Sequence, residues 1–303
     1  MKDFFGSLFC YSESMAVIDD NNYTSIIPTA YITAYPRLFT DIPYSKPIFE
    51  ALEKIRHSND ETPLGENYKV VRLAPELEAR YKLIDKLLDE SSIQQVLELA
   101  SGLSPRGLIL TEKDFDTQYA ELELKEMAQL KQSILGAISI PPNNLHITPG
   151  NALRAEDFNA AIKSFDISKR MAVLNEGLLR YLNFDEKTLV AKNVHSVLSR
   201  FGGIWITCDT TPKSFLNTQD TLTKPGMNRD LSSISQKDFT KNMFEDEPHV
   251  ERFFSDLGFS VEFHPLTEIE SELVSPGILK IPSEEVEQLL GSGVVVVMRV
   301  KHR

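Results

Sequence analysis

Hydrophobic positions along this chain alternate between two periods. Short apolar runs at residues 93–99, 117–124, 145–148, 171–174, 204–207, 259–263 and 294–300 have the length and branched-residue content of buried strands. Between them the spacing turns helical. Residues 74–88 open with Pro75 near a helix start and carry Leu77, Tyr81, Ile84, Leu87 and Leu88 on one face. A second stripe, Leu124, Met127, Ala128, Lys131, Ile134, Leu135 and Ile138, has Lys131 as its single polar break. Phe158, Ala161, Ile162 and Phe165 form a third stripe, and Val190, Val194, Val197 and Leu198 a fourth, with Asp185 read as its N-cap. Two further helices are predicted near 248–257 and 284–290. Repeated strand-helix alternation predicts an α/β fold, a parallel sheet covered on both faces with ligands at the carboxyl ends of its strands.

The first 50 residues break this rhythm. Tyr23, Tyr31, Tyr35, Phe39, Tyr44 and Phe49 alternate with Pro28, Pro36, Pro43 and Pro47, which reads as short helices joined by turns. Residues 48–56 look helical and 57–67 form a polar connection. Residues 209–246 are hydroxyl-rich and broken by Pro225-Gly226, as a lid over a site would be. The organisation expected is an N-terminal helical cap over residues 1–70 and a core over 71–303, with a lid insertion at about 210–246.

Composition narrows the partners. With 303 residues, 42% hydrophobic and 25% charged, the chain can bury a large core. A net charge of -12 lacks the basic footprint of a nucleic-acid or anionic-membrane binder, so a small molecule is the expected partner. Cys10 and Cys208 make no disulfide framework and fit a reducing cytosol, and no run approaches a membrane span, so a cytoplasmic location is expected. The six histidines show no metal spacing, and no metal site is expected.

Candidate chemistry concentrates where the first strand ends, at Ala100-Ser101-Gly102. Small residues there let a ligand approach the backbone, although a tight turn would use them equally. Glu123 lies 21 positions after Gly102, near the spacing at which nucleotide-binding α/β folds place an acid for a ribose diol. A solvated strand end is the other reading of Glu123. Glu98 sits inside an apolar strand and must be paired, with a ligand ammonium or with a neighbouring loop.

Four pieces together resemble class I S-adenosylmethionine-dependent methyltransferases of the leucine carboxyl methyltransferase and polyketide O-methyltransferase branch. They are Ala74-Pro75-Glu76 with Arg80, the run from Glu98 to Arg106, the run from Tyr119 to Leu124, and the run from Asn175 to Leu182 with its acid-Gly-Leu-Leu-x-Tyr-Leu pattern. The resemblance implies a seven-stranded Rossmann-like sheet with its last strand antiparallel, helices on both faces and an N-terminal helical cap. It implies S-adenosylmethionine as cofactor, S-adenosylhomocysteine as product, and in-line methyl transfer to a hydroxyl or carboxyl group. Arg80 would grip the cofactor's carboxylate, against the alternative of a salt bridge with Glu76 or Glu78. Glu98, Ala100, Ser101 and Gly102 would surround its amino-acid end, Glu123 its ribose, Asn151 its adenine, and Glu176 with Gly177 its methionine portion. Tyr31, Tyr35 and Arg37 of the cap are the candidates to meet the acceptor. Arg106 is read as pairing with an acid to structure the loop.

The first loop departs from the branch, which carries Gly-x-Gly-Leu-Asp-Thr-Arg where this chain has Ala100-Ser-Gly-Leu-Ser-Pro-Arg106. Ala100 narrows the allowed backbone angles, and Ser104-Pro105 removes an acid and a backbone donor. A catalytically inactive binding or regulatory protein on the same fold is therefore the alternative. A nicotinamide oxidoreductase is disfavoured because Gly-x-Gly-x-x-Gly is absent at the first strand end.

Overall fold

The computed structural model describes residues 29–58, 69–210, 212–213, 239–291 and 293–301. The start of the expected cap, residues 59–67 of its polar connection and most of the expected lid lie outside the described residues; residues 57 and 58, expected in that connection, continue a helix instead. All seven predicted strands form, as β1 (Gln95–Leu99), β2 (Gln118–Glu123), β3 (Leu145–Pro149), β4 (Met171–Asn175), β5 (Gly203–Thr207), β6 (Phe259–Pro265) and β7 (Val294–Val300). They make one sheet in the order β3-β2-β1-β4-β5-β7-β6. Neighbouring strands from β3 through to β5 pair in parallel, and β7 runs antiparallel to both β5 and β6. This is the methyltransferase arrangement anticipated from the sequence. Strand order reverses between β1 and β4, and a crevice opens beyond their carboxyl ends at such a switch point.

The helices before the crossover to β6 are α1 (Thr29–Ala34), α2 (Ser45–Ser58), α3 (Ala74–Ser91), α4 (Arg106–Lys113), α5 (Lys125–Ile138), α6 (Ala155–Ala161) and α7 (Phe184–Phe201). Three more follow, α8 (Glu247–Asp256), α9 (Ser275–Leu279) and α10 (Ser283–Leu290). Strand pleating sorts their packing. Leu97, Leu99, Ala120, Leu122 and Trp205 face α6, α7 and α8, burying Phe158, Val190, Val194 and Phe254. Val96, Tyr119, Leu174 and Ile206 face α3 and α10, burying Leu83, Ile84, Leu87 and Val286. Full burial of each such side chain contributes about 1.5–3 kcal/mol.

Local chemistry fixes the ends. Helix α7 is capped by Asn183, not Asp185: Asn183 Oδ1 accepts from the Glu186 amide at 2.9 Å while the Glu186 carboxylate accepts from the Asn183 amide at 2.8 Å. Two groups satisfying each other outcompete a lone acid two residues on, so Asp185 lies in the first turn. Helix α3 has Pro75 in its first turn, where a missing N–H costs nothing. The turn at Leu266–Glu272 and α9 were not read from the sequence, which lacks a clear period there.

Candidate functional site

Pleating also decides where the acids point. Val96 faces α3, so Glu98 does too, and Tyr119 brings Glu121 and Glu123 to that side of β2. Glu98 and Glu121 are direct partners in the parallel register and both are buried. Two neighbouring carboxylates repel in a dry interior, and each has its own cation. Arg106, fully buried, donates from Nη1 to Glu98 at 2.7 Å and from Nε to Asp85 at 2.6 Å, with its guanidinium 4.3 Å from the Tyr81 ring centroid. The Tyr119 hydroxyl donates to the other Glu98 oxygen at 2.8 Å. Lys131 meets Glu121 at 2.5 Å.

The loop after β1 stands on these acids. Ser101 Oγ donates to Glu121 at 2.7 Å and accepts from Lys131 Nζ at 3.0 Å. Ala100 and Gly102 on either side are left-handed, with φ of 51° and 52°. Ala100 thus adopts the conformation for which a glycine is the usual residue, at a local cost of about 1–2 kcal/mol. The amide of Gly102 donates to Glu123 at 2.8 Å, and that of Leu124 to the other Glu123 oxygen, also at 2.8 Å. Burial raises the Glu123 carboxyl to about 7, against the pull of those two amides and of Lys131.

Across the crevice, β4 ends in Asn175-Glu176-Gly177. Burial pushes the Glu176 carboxyl up, but the guanidiniums of Arg80, Arg106 and Arg37 outweigh it and hold the group below its ordinary value. Arg80 Nη1 bonds Glu76 at 3.1 Å and its Nε lies 3.5 Å from Glu176, so the salt bridge read as an alternative is present beside the crevice. Arg37 is 6% exposed and its Nε has no hydrogen-bond partner. Burial lowers its pKa, partly offset by Glu176. Asp209, just after β5, accepts from the amides of Gly177, Leu178 and Leu179 at 2.6, 2.7 and 2.9 Å and from Asn175 Nδ2 at 2.7 Å. That acid holds the whole turn after β4, and sequence reading missed it; an Asp directly after a strand end was the available signal.

These pieces border a crevice whose empty space, including the solvent at its mouth, is about 1150 Å³. Of the residues expected at the cofactor, Arg80, Ala100, Ser101, Gly102, Glu123, Asn151, Glu176 and Gly177 line it. Glu98 does not: its oxygens are taken by Arg106 and Tyr119, which places it behind the loop. Of the cap residues, Arg37 lines the cavity, whereas Tyr35 packs edge-on against Phe39 and Phe49 and is not among the lining residues. Tyr31 belongs to α1, and its side chain lies outside the described residues. Thr33, Leu103, Met127 and Tyr181 also line the space and were not anticipated.

The lining suits a nucleoside carrying an amino acid. A Cβ added at Gly102 or Gly177 would meet nothing within 4 Å, so both backbones border open space. Two guanidiniums suit a carboxylate: that of Arg37, buried with its Nε unbonded, and that of Arg80, whose Nε faces Glu176 at 3.5 Å. A carboxylate at the end of β2 suits two vicinal hydroxyls. Among the described residues no cluster of three or more His, Cys, Asp or Glu could hold a metal ion, and no helix is long and apolar enough to cross a membrane.

The family model for leucine carboxyl methyltransferase matches residues 13–195, more than half of the chain. Comparison with curated protein sequences finds no match. Among solved structures, a putative methyltransferase from Thermobifida fusca is 15% identical, with a TM-score of 0.50 over 89% of this chain and 94% of that one. The methyltransferase domain of bacterial CtHen1 is 12% identical, with a TM-score of 0.50 over 74% of this chain and 98% of that one. An O-methyltransferase family protein from Burkholderia thailandensis is 14% identical, with a TM-score of 0.46 over 84% and 71%. At these identities the likeness is one of fold.

Proposed function

The chain belongs to the leucine carboxyl methyltransferase family and is an S-adenosylmethionine-dependent methyltransferase, and from that premise we propose that it O-methylates a small-molecule hydroxyl or carboxyl group in the cavity between β1 and β4. The observation that carries the proposal is the convergence on one space of the left-handed Ala100–Gly102 loop, the Glu123 carboxylate and the Arg37–Arg80–Glu176 charges. In this reading residues 29–58 belong to the cap of a core that begins near residue 71, and the lid insertion at about 210–246 remains part of the proposal.

Residues would divide the work as follows. Glu123 accepts from the ribose hydroxyls, and Ala100, Ser101 and Gly102 give the amino-acid end a close backbone. Arg80 grips the cofactor's carboxylate, and Glu176, held ionised by three guanidiniums, accepts from its ammonium. Asn151 is assigned to the adenine, its backbone fixed by a bond from its amide to Asp157 at 2.7 Å. Glu98 acts through Arg106 from behind. The cofactor, when bound, supplies a sulfonium-activated methyl group to a nucleophilic oxygen.

Arg37 and Thr33 reach the cavity from the cap side and are assigned to the acceptor. A carboxylate acceptor is already ionised at neutral pH and needs no base; a guanidinium aligns its oxygens at the methyl carbon. Leu178, Tyr181 and Leu182 line the same cavity and exclude water from the reacting oxygen. The test is incubation of the pure protein with methyl-labelled S-adenosylmethionine and panels of small carboxylic acids and phenols. Label transferred to an oxygen, released as methanol by mild base if the product is an ester, supports the proposal; no transfer to any oxygen acceptor counts against it.

A further inference from the structure

We infer that the buried Lys131–Glu121 pair is a positioning device for the cofactor loop, gripping the Ser101 hydroxyl from beneath so that Ala100 and Gly102 stay in the left-handed conformations that open the loop to the cavity. The inference rests on the cofactor assignment proposed above. Three observations carry it.

Lys131 is the single polar residue in the apolar stripe of α5, and it is 1% exposed. It reaches past that stripe to Glu121 at 2.5 Å and to Ser101 Oγ at 3.0 Å. A buried ion pair is a weak source of stability, because removing both charges from water offsets much of their attraction. What this pair supplies is two fixed polar atoms beneath a loop.

Ser101 uses its hydroxyl fully, donating to Glu121 at 2.7 Å while accepting from Lys131. That combination locks one rotamer and with it the backbone between two left-handed residues. A left-handed alanine persists only where its surroundings over-determine it. Here the loop is tied to β2 at three points: through the Ala100 amide to the Leu122 carbonyl at 2.9 Å, through Ser101 to Glu121, and through the Gly102 amide to Glu123 at 2.8 Å, and of these only the Ser101 tie depends on the ion pair. The anchored loop thereby meets a demand that the missing glycine would have met by backbone freedom alone.

The charges are also interdependent. Glu121 is paired across the sheet with Glu98, whose own cation is Arg106. Without Lys131, Glu121 would face Glu98 with no cation of its own, would tend to take a proton, and could then compete with Ser101 as a donor. Lys131 therefore keeps Glu121 an acceptor.

The experiment compares wild type, Ser101→Ala, Lys131→Met and the double variant Glu121→Gln/Lys131→Met by calorimetric titration with S-adenosylhomocysteine, thermal melting and amide exchange over residues 100–104. Lys131→Met alone loses both melting temperature and affinity, because it strands a buried carboxylate. The double variant regains a melting temperature near wild type yet binds S-adenosylhomocysteine about tenfold more weakly, the scale of one lost hydrogen bond to a charged group. Ser101→Ala, which leaves the ion pair in place, shows the same loss of affinity and faster exchange of the loop amides. Wild-type affinity and loop exchange in Ser101→Ala overturn the inference, whatever the double variant does. Failure of the wild type itself to bind S-adenosylhomocysteine overturns the cofactor assignment instead, so the two failures are distinct.

Discussion

Glu123 is the residue whose chemistry is most exposed to test. Burial raises its carboxyl to about 7 in the absence of ligand, with Lys131 pulling it down and Glu121 pushing it up. An acceptor for two ribose hydroxyls must be ionised, so affinity for S-adenosylhomocysteine falls as pH drops below 7, approaching about tenfold per pH unit. Glu123→Gln flattens the profile, and calorimetry between pH 6 and 8.5 checks both. The stability linkage has the opposite sense: a carboxyl whose folded value lies above the ordinary 4.5 contributes stability that is full below 4.5 and is lost as pH rises through 7. Arg37 makes a separate prediction. Arg37→Met raises the acceptor's KM at least about tenfold, the scale of one charge-assisted bond, while S-adenosylhomocysteine affinity stays within about twofold. Collapse of cofactor binding in that variant would move Arg37 to the cofactor. At this scale the spacing from Gly102 to Glu123 was legible because it joins the loop just after β1 to the end of the neighbouring strand β2, where the two meet through the Gly102 amide. The partners of Glu98 were not, because Arg106 and Tyr119 come from the start of α4 and from a different strand, and only folding shows that they occupy both carboxylate oxygens.

Among the elements, the strands could be read almost residue by residue, since sheet burial demands short apolar runs and their ends are marked by small or polar residues. The start of α7 was displaced by two residues because a reciprocal capping box is a pairwise property of Asn183 and Glu186 that scanning for a single acid overlooks. The Leu266–Leu279 region escaped because short turns and a five-residue helix carry too few positions to show a period. One element-level prediction concerns the junction of α7 and β5. Gly203 has φ of 115°, and a Cβ there would lie 1.9 Å from the Met171 carbonyl oxygen on β4. Gly203→Ala therefore costs at least about 3 kcal/mol, in the range of strained backbone combined with a clash against main chain. Urea denaturation measures it, and a loss below about 1 kcal/mol would show that β4 and β5 can separate there without penalty.

At the scale of the whole molecule, the sheet order places the β1 loop, the end of β2 and the turn after β4 around one opening, which Thr33 and Arg37 also line. Architecture and family were legible because alternation and four local motifs point the same way. The acceptor was not, because the residues proposed to meet it, Thr33 and Arg37, belong to no motif. In the altered first loop, which from the sequence left room for an inactive relative, Ala100 takes a positive φ without a glycine and Ser101 is anchored on a buried ion pair. This opening is the site proposed for the cofactor. Calorimetric titration of S-adenosylhomocysteine into the wild-type chain and into Gly102→Val tests it most directly, since a branched side chain at φ of 52° would both strain the loop and fill the open space above it. One binding site per chain is expected in the wild type and its loss in Gly102→Val; no binding by the wild type, or equal affinity in both, would show that the cofactor binds elsewhere or not at all.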